Sequence, residues 1–224
     1  MIGIIIQARM GSTRLPKKVL KKIRDKNILE HILFRLSKLQ YSANIVIATS
    51  TLEKDDVIQF FCDKKVIQCF RGSETNVLER YYLCAKENNF EHIVRLTGDN
   101  PFTDTEEIDN LVELHLKTDA DYSKSFASLP KGVGAEIFTF QSLEKSYLNS
   151  TKSNHFEHVN EYIEENETLF KISELQTPES KNRPDLSLTV DTLEDYKKAC
   201  FIVENAISEY ITTEEAIELC LRFA

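Results

Sequence analysis

Apolar runs and amphipathic stretches alternate along the first hundred residues. The run 2–6 is apolar at every position, which predicts a strand covered on both faces, as in the middle of a parallel sheet. Over 28–39 apolar residues recur at Ile28, Leu29, Ile32, Leu33, Leu36 and Leu39, the spacing of a helix with one buried stripe. Strands are expected at 44–49, 66–70 and 92–96, and helices at 54–62 and 75–87. The resulting β-α-β-α-β-α-β order predicts an α/β fold: an open, mostly parallel twisted sheet with helices on both faces.

The rhythm changes after about residue 118. Strands are expected at 121–126, 134–140 and 169–175, with helices at 141–149 and 155–165. Residues 176–186 are polar, carry Pro178 and Pro184, and read as a loop. A short buried strand at 186–190 and helices at 194–205 and 213–223 close the chain, the last with Glu214 and Glu215 in its first turn. The expected organisation is a single domain, 1–224, with 120–185 as a small α+β insertion that carries substrate or dimer contacts.

Composition narrows the partners. The 224 residues carry a net charge of −8, which argues against nucleic-acid binding. The cations are uneven, however. Eight Lys or Arg lie between Arg9 and Lys26 against one acid, Asp25, which favours a small anionic ligand. The five cysteines are odd in number and form no CxxC pair, so neither a disulfide framework nor a zinc site is expected. No run approaches the ~18 apolar residues of a membrane span, and the N-terminus does not read as a signal peptide. The expected compartment is the cytoplasm.

The cations gather in the loop Gln7-Ala8-Arg9-Met10-Gly11-Ser12-Thr13-Arg14-Leu15-Pro16-Lys17-Lys18. It follows the first strand, and in open α/β sheets ligands bind outside the carboxyl ends of strands. Fixed charges, the hydroxyls of Ser12 and Thr13 and the flexible Gly11 suit a triphosphate. The plainer reading is a solvated basic loop. Neither GxxxxGK[ST] nor GxGxxG is present. Two aspartates follow later apolar strands: Asp99 after Thr97-Gly98, and Asp191 after Val190. Opposite a triphosphate loop they could hold Mg²⁺; singly, Asp99 reads equally as a turn residue and Asp191 as a helix N-cap.

The run IIIQARMGSTRLPKKVL, with RGSETNVLERY, RLTGDNP and VDTLED, resembles the cytidylyltransferases that activate acidic sugars. These are the CMP-Kdo and CMP-sialate synthetases and, above all, their spore-coat polysaccharide biosynthesis F-type relatives. The resemblance implies a Rossmann-like nucleotide-diphospho-sugar transferase fold. It implies transfer of CMP from CTP to an acidic sugar or a sugar or polyol phosphate, for surface glycan synthesis, by a homodimer. By resemblance, Arg9, Arg14 and Lys18 are catalytic, stabilising pyrophosphate. Gln7, Ala8, Gly11, Ser12, Thr13, Arg71, Ser73, Thr97 and Gly98 bind nucleotide, and Asp99 and Asp191 hold Mg²⁺. Glu136, His155, Glu157 and His158 match the acceptor segments loosely, and an exposed helix start is the plainer reading of the two histidines. Lys17 stands where many members have glycine, and Asn76 where they have aspartate. The residues leave three alternatives open. One is another nucleotide with a sugar phosphate. Another is a non-catalytic nucleotide-binding protein on the same fold. The third is a glycosyltransferase, whose DxD is matched by Asp119-Ala120-Asp121 away from the loop.

Overall fold

The computed structural model describes residues 1–223. Strand β1 (Ile2–Gln7) lies inside a seven-stranded sheet, flanked by β4 (Asn44–Ser50) and β6 (His92–Thr97), both parallel to it. Beyond β4 runs β5 (Gln68–Gly72), also parallel. On the other side β8 (Glu136–Thr139) pairs antiparallel with β6, β7 (Tyr122–Lys124) antiparallel with β8, and β9 (Ile172–Glu174) parallel with β7. The segment 120–185 therefore supplies three strands of the main sheet.

Alternation along the strands divides the interior into two cores. Ile4 and Ile6 of β1, Ile47 of β4 and Val94 and Leu96 of β6 enter one core. Helices α1 (Ile28–Leu36), α2 (Asp56–Lys65), α4 (Thr105–Thr118), α8 (Leu193–Asn205) and α9 (Thr213–Phe223) supply buried residues to that core. Ile5, Val46, Ala48 and Ile93 face the other way, toward α3 (Val77–Glu87), α5 (Phe140–Asn149) and α7 (Glu161–Glu165). A strand buried on both faces has no polar alternate set, and β1 has none. Gly3 meets this demand differently: a Cβ there would sit 2.1 Å from the Phe90 ring.

Local chemistry sets most element ends. Asn27 and Glu30 form a capping box at the start of α1, and Thr192 and Asp195 form another at the start of α8. Asn76 caps α3 through Glu79 N, and Asp104 caps α4 through Glu107 N. Several elements differ from the sequence reading. Helix α4, for which no element is expected, carries buried Ile108, Leu111, Val112 and His115 at helical spacing. The expected helix 155–165 is broken into α6 (Ser153–Glu157) and α7 by an extended His158. The expected strand 186–190 is a single bridge, Ser187 beside Lys131. A two-stranded hairpin of β2 (Lys22–Ile23) and β3 (Lys26–Asn27) turns at Arg24, whose φ is 56°. The DxD pair is structural: Asp119 ends α4 in a left-handed conformation, and Asp121 accepts from Lys171 N at 2.8 Å.

One buried ion cluster pins the polar loop before residue 186 to α4. Lys181 Nζ lies 3.0 Å from Asp104 and 2.8 Å from Glu107, all three almost wholly buried, and Thr213 donates to Asp104. Burial opposes charge on Asp104, but the Thr213 hydrogen bond and the Lys181 charge outweigh it and hold its pKa below the ordinary 3.8. Removing the cation strands two buried carboxylates, so Lys181→Met should cost about 3–5 kcal/mol, read as a lower urea midpoint. The cluster's contribution is full above the ordinary carboxylate range and is lost as pH falls through the depressed Asp104 value. Lys181→Met should therefore flatten the acid limb of stability against pH.

Candidate active site

Parallel strands that start at one edge end at the other, so the loops after β1 and β6 emerge side by side. Gly98 N donates to Gln7 O at 2.8 Å, tying the two loops at their roots. The loop after β1 is shaped by groups outside it. Buried Asp55 accepts from Met10 N at 2.7 Å and from Ser50 Oγ. Ser12 Oγ accepts from Leu15 N at 3.3 Å. Lys17 takes a left-handed conformation, φ 59° and ψ 22°, which glycine adopts without strain. The glycine common at this position in the resembling proteins is thereby explained.

The third segment comes from far along the chain. Thr192 and Asp195 close the α8 cap between them, with Asp195 also accepting from Asp191 N at 3.3 Å. Asp191 is thus free of the capping role. Val190 N donates to Asp99 O at 2.9 Å, laying this segment against the loop after β6. Gly132, at φ +90°, permits the approach: a Cβ there would lie 2.7 Å from Thr189 N and 2.9 Å from Asn100 Oδ1.

These segments enclose a cavity of about 670 Å³, within the usual size of small-molecule sites. Lys18 lines it, with Nζ 2.7 Å from Asp99 Oδ2 and 2.7 Å from Asp191 Oδ1. Arg14 Nη2 lies 3.3 Å from the second Asp191 oxygen. Burial opposes charge on Asp191, but the Lys18 hydrogen bond and the Lys18, Arg14 and Lys131 charges hold its pKa below the usual carboxylate value. Thr97 Oγ1 donates to Asp99 Oδ1 at 2.6 Å and accepts from Asn100 Nδ2 at 2.8 Å. Arg9 Nη2 reaches Glu157 Oε1 at 3.5 Å, a half-exposed pair of the kind that holds weakly in water. Five cations line the cavity against Asp99, Glu157 and Asp191, since Arg95 and Lys131 join the three basic loop residues.

The donor set suits a divalent cation. Asp99 and Asp191 already converge on one positive charge, the Lys18 ammonium, and both carboxylates are partly exposed to the cavity. Among the described residues no three His, Cys, Asp or Glu side chains cluster to hold a metal. Two carboxylates with phosphate oxygens and water are a normal Mg²⁺ environment.

A cytidylyltransferase family model matches residues 3–217. The chain belongs to the cytidylyltransferase family. It is similar to the spore coat polysaccharide biosynthesis protein SpsF of Bacillus subtilis (strain 168), 36% identical over 92% of this chain and 87% of that one. A cytidylyltransferase structure from Leptospira borgpetersenii superposes with a TM-score of 0.91 at 34% identity, covering 99% of this chain and 94% of that one. The structure of CMP:2-keto-3-deoxy-manno-octonic acid synthetase complexed with CTP shares the fold, with a TM-score of 0.65 at 16% identity over 91% and 98% of the two chains. The fold is accordingly the Rossmann-like one of nucleotidyltransferases.

Within this family member, the cavity gathers many of the residues singled out from the sequence. Gln7, Arg9, Gly11, Ser12, Thr13, Arg14, Lys18, Thr97, Asp99, Glu157, His158 and Asp191 all line it. Ala8 and Gly98 line an adjoining recess of about 50 Å³ beside Arg80. Four expected contacts lie elsewhere. Arg71 is folded onto Ser50 O, Leu52 O and Asp56, and so clamps the end of β4. Ser73 accepts from Asn76 N at 3.0 Å and turns the chain into α3. Glu136 is fully buried, its carboxylate taken by Arg95 and Tyr122, and His155 is buried against Glu165. Neither Glu136 nor His155 reaches the cavity surface, which corrects the expectation of direct acceptor contact.

Arg95, Asn100, Lys131 and Thr189 were not anticipated. Arg95 carried a legible signal, lying two residues before Thr97 on the same strand face. Lys131 and Thr189 reach the site through the pairing of Lys131 with Leu186 and Leu188. Buried atoms without partners also mark the wall: Gln7 Oε1, Asn100 Oδ1 and Arg95 Nε. Such atoms are uncommon in folded proteins, and these three belong to residues that line one cavity. Gly132→Ala should keep the circular-dichroism spectrum but displace Asp191, lowering turnover by about a hundredfold in steady-state kinetics.

Proposed function

We propose that this protein transfers CMP from CTP to an acidic sugar or a sugar or polyol phosphate, releasing pyrophosphate, in the synthesis of a surface polysaccharide. The observation that carries the reading is the Lys18 ammonium held between Asp99 and Asp191, beside a loop rich in cations and hydroxyls. Family membership supports cytidine, and the similarity to a spore coat polysaccharide biosynthesis protein supports a glycan setting.

The triphosphate lies along 9–18. Arg9 and Arg14 pair with its oxygens in two-pronged fashion, and Lys18 adds a point charge. Backbone N–H groups around Gly11 and the hydroxyls of Ser12 and Thr13 complete the cradle. An oxygen of the acceptor attacks the α-phosphorus in line. The new O–P bond forms as the bond from the α-phosphorus to the β-bridging oxygen breaks, and the electron pair leaves on pyrophosphate; a hydroxyl acceptor gives its proton to water, and a phosphate oxygen has none to lose. Arg9, Arg14 and Lys18 take up that charge, so catalysis is mainly positioning and neutralisation. Asp99 and Asp191 would hold Mg²⁺, which when bound would supply positive charge against the triphosphate. Glu157 and His158, which also line the cavity, would meet the acceptor.

Lys18→Ala and Asp99→Asn should keep the fold, because both side chains sit at the cavity rather than in a core. Each should lower turnover by about a hundredfold or more, measured as pyrophosphate release with CTP and an accepted acceptor. Near-wild-type release from either variant would sink the reading. CTP with Mg²⁺ should raise the melting temperature more than ATP, GTP or UTP does; indifference to every nucleotide would favour a non-catalytic protein. The exposed Leu148 and Leu169 of 120–185 support a homodimer through that segment, which sedimentation equilibrium would test.

A further inference from the structure

Arg95 has an unusual setting for a cavity residue. It lies on β6 directly opposite Glu136 of β8, and its Nη1 donates to Glu136 Oε1. Tyr122 donates to the other Glu136 oxygen at 2.5 Å. The guanidinium also stands 5.8 Å from the centre of the Tyr81 ring, and Tyr81 is itself fixed by donation to Leu96 O at 2.8 Å. Burial alone would discourage charge on Arg95, but the Glu136 and Tyr81 neighbours outweigh it and raise its pKa. A desolvated ion pair of this kind contributes little net stability. What it does is lock one rotamer of a permanently charged group at the cavity wall.

The lock leaves one edge of the guanidinium without a protein partner. Glu136 takes the Nη1 end, Nε has no partner, and no bond is made from Nη2 among the described residues. The Nε–Nη2 edge is the one that meets two oxygens of a carboxylate or phosphate side by side. The same cavity is lined by Asn100, whose buried Oδ1 has no partner, and by the cation Lys131. The phosphate loop cannot be this edge's partner, being cationic itself.

We propose that Arg95 is the specificity residue for the second substrate: its Nε–Nη2 edge receives a carboxylate or phosphate of a polyhydroxylated acceptor, with Glu136 and Tyr122 as positioning residues behind it. The assignment of that substrate as an acceptor rests on the proposed cytidylyl transfer; the oxyanion contact itself does not.

The test is a side-chain ¹⁵N NMR titration of the full-length protein, following the Arg95 Nε–H resonance, assigned by its absence in Arg95→Lys. The probes are sorbitol, gluconate and sorbitol 6-phosphate, each with and without CTP and Mg²⁺. A shift with gluconate identifies a carboxylate, and a shift with sorbitol 6-phosphate a phosphate; sorbitol should leave the resonance in place. Arg95→Lys should weaken the effective probe by about tenfold, the scale of losing one arm of a charged pair, while CTP-induced thermal stabilisation stays at the wild-type level. Glu136→Gln removes the competing carboxylate and should bind the probe several-fold tighter, a sign that a merely structural role would not produce. No response to either anion, an equal response to sorbitol, or equal loss of CTP and probe binding in Arg95→Lys overturns the proposal. If Glu136→Gln does not fold, the Arg95→Lys comparison decides. Failure of CTP to bind the wild type counts against cytidylyl transfer alone, because the anion titrations without nucleotide remain readable.

Discussion

Strand β1 must be covered on two sides, because Ile4 and Ile6 point one way and Ile5 the other, and all three are buried. No single layer of helices can satisfy it. The chain answers by crossing from strand to parallel strand with helices on both faces, and each crossover starts at the same edge of the sheet. The loops after β1 and β6 therefore meet, and their backbones are joined between Gly98 and Gln7. The functional edge is a consequence of burying the central strand.

At that edge charge is balanced by side chains whose ordinary role would be to meet a ligand. Lys18 bridges Asp99 and Asp191, Arg14 leans on Asp191, and Arg9 reaches Glu157. The Arg9–Glu157 pair is half exposed and holds weakly in water, whereas the Lys18 contacts are mostly buried. The Arg95–Glu136 pair is a different kind of interaction, enclosed by aromatic rings and a tyrosine hydroxyl. The cavity thus joins partly exposed charges to one enclosed pair.

The parallel half of the fold was legible because its signals are local. A doubly apolar run, a helical stripe and a basic loop after a strand can each be read within a dozen residues. The antiparallel half was legible only in part: short strands such as β7 and β9 show their register only when paired with neighbours. Helix α4 escaped notice although its cap Asp104 and its stripe of Ile108, Leu111 and Val112 are present, since its first turn is acidic and follows a turn-forming Asn-Pro. In the site, Asp191 looked like a cap until Thr192 and Asp195 were seen to form the cap themselves.

The sequence by itself determined the fold class, the phosphate-type loop, and the two aspartates as candidates for its partners. Those follow from periodicity and from charge placed at strand ends. Only the tertiary structure decided that Lys18 stands between Asp99 and Asp191, that Glu136 serves Arg95 instead of a ligand, and that Arg71 is spent on the backbone of β4. The reason is distance along the chain. Lys18 and Asp191 are 173 residues apart, and no local pattern encodes which of many charged side chains a given strand register will bring within hydrogen-bonding reach.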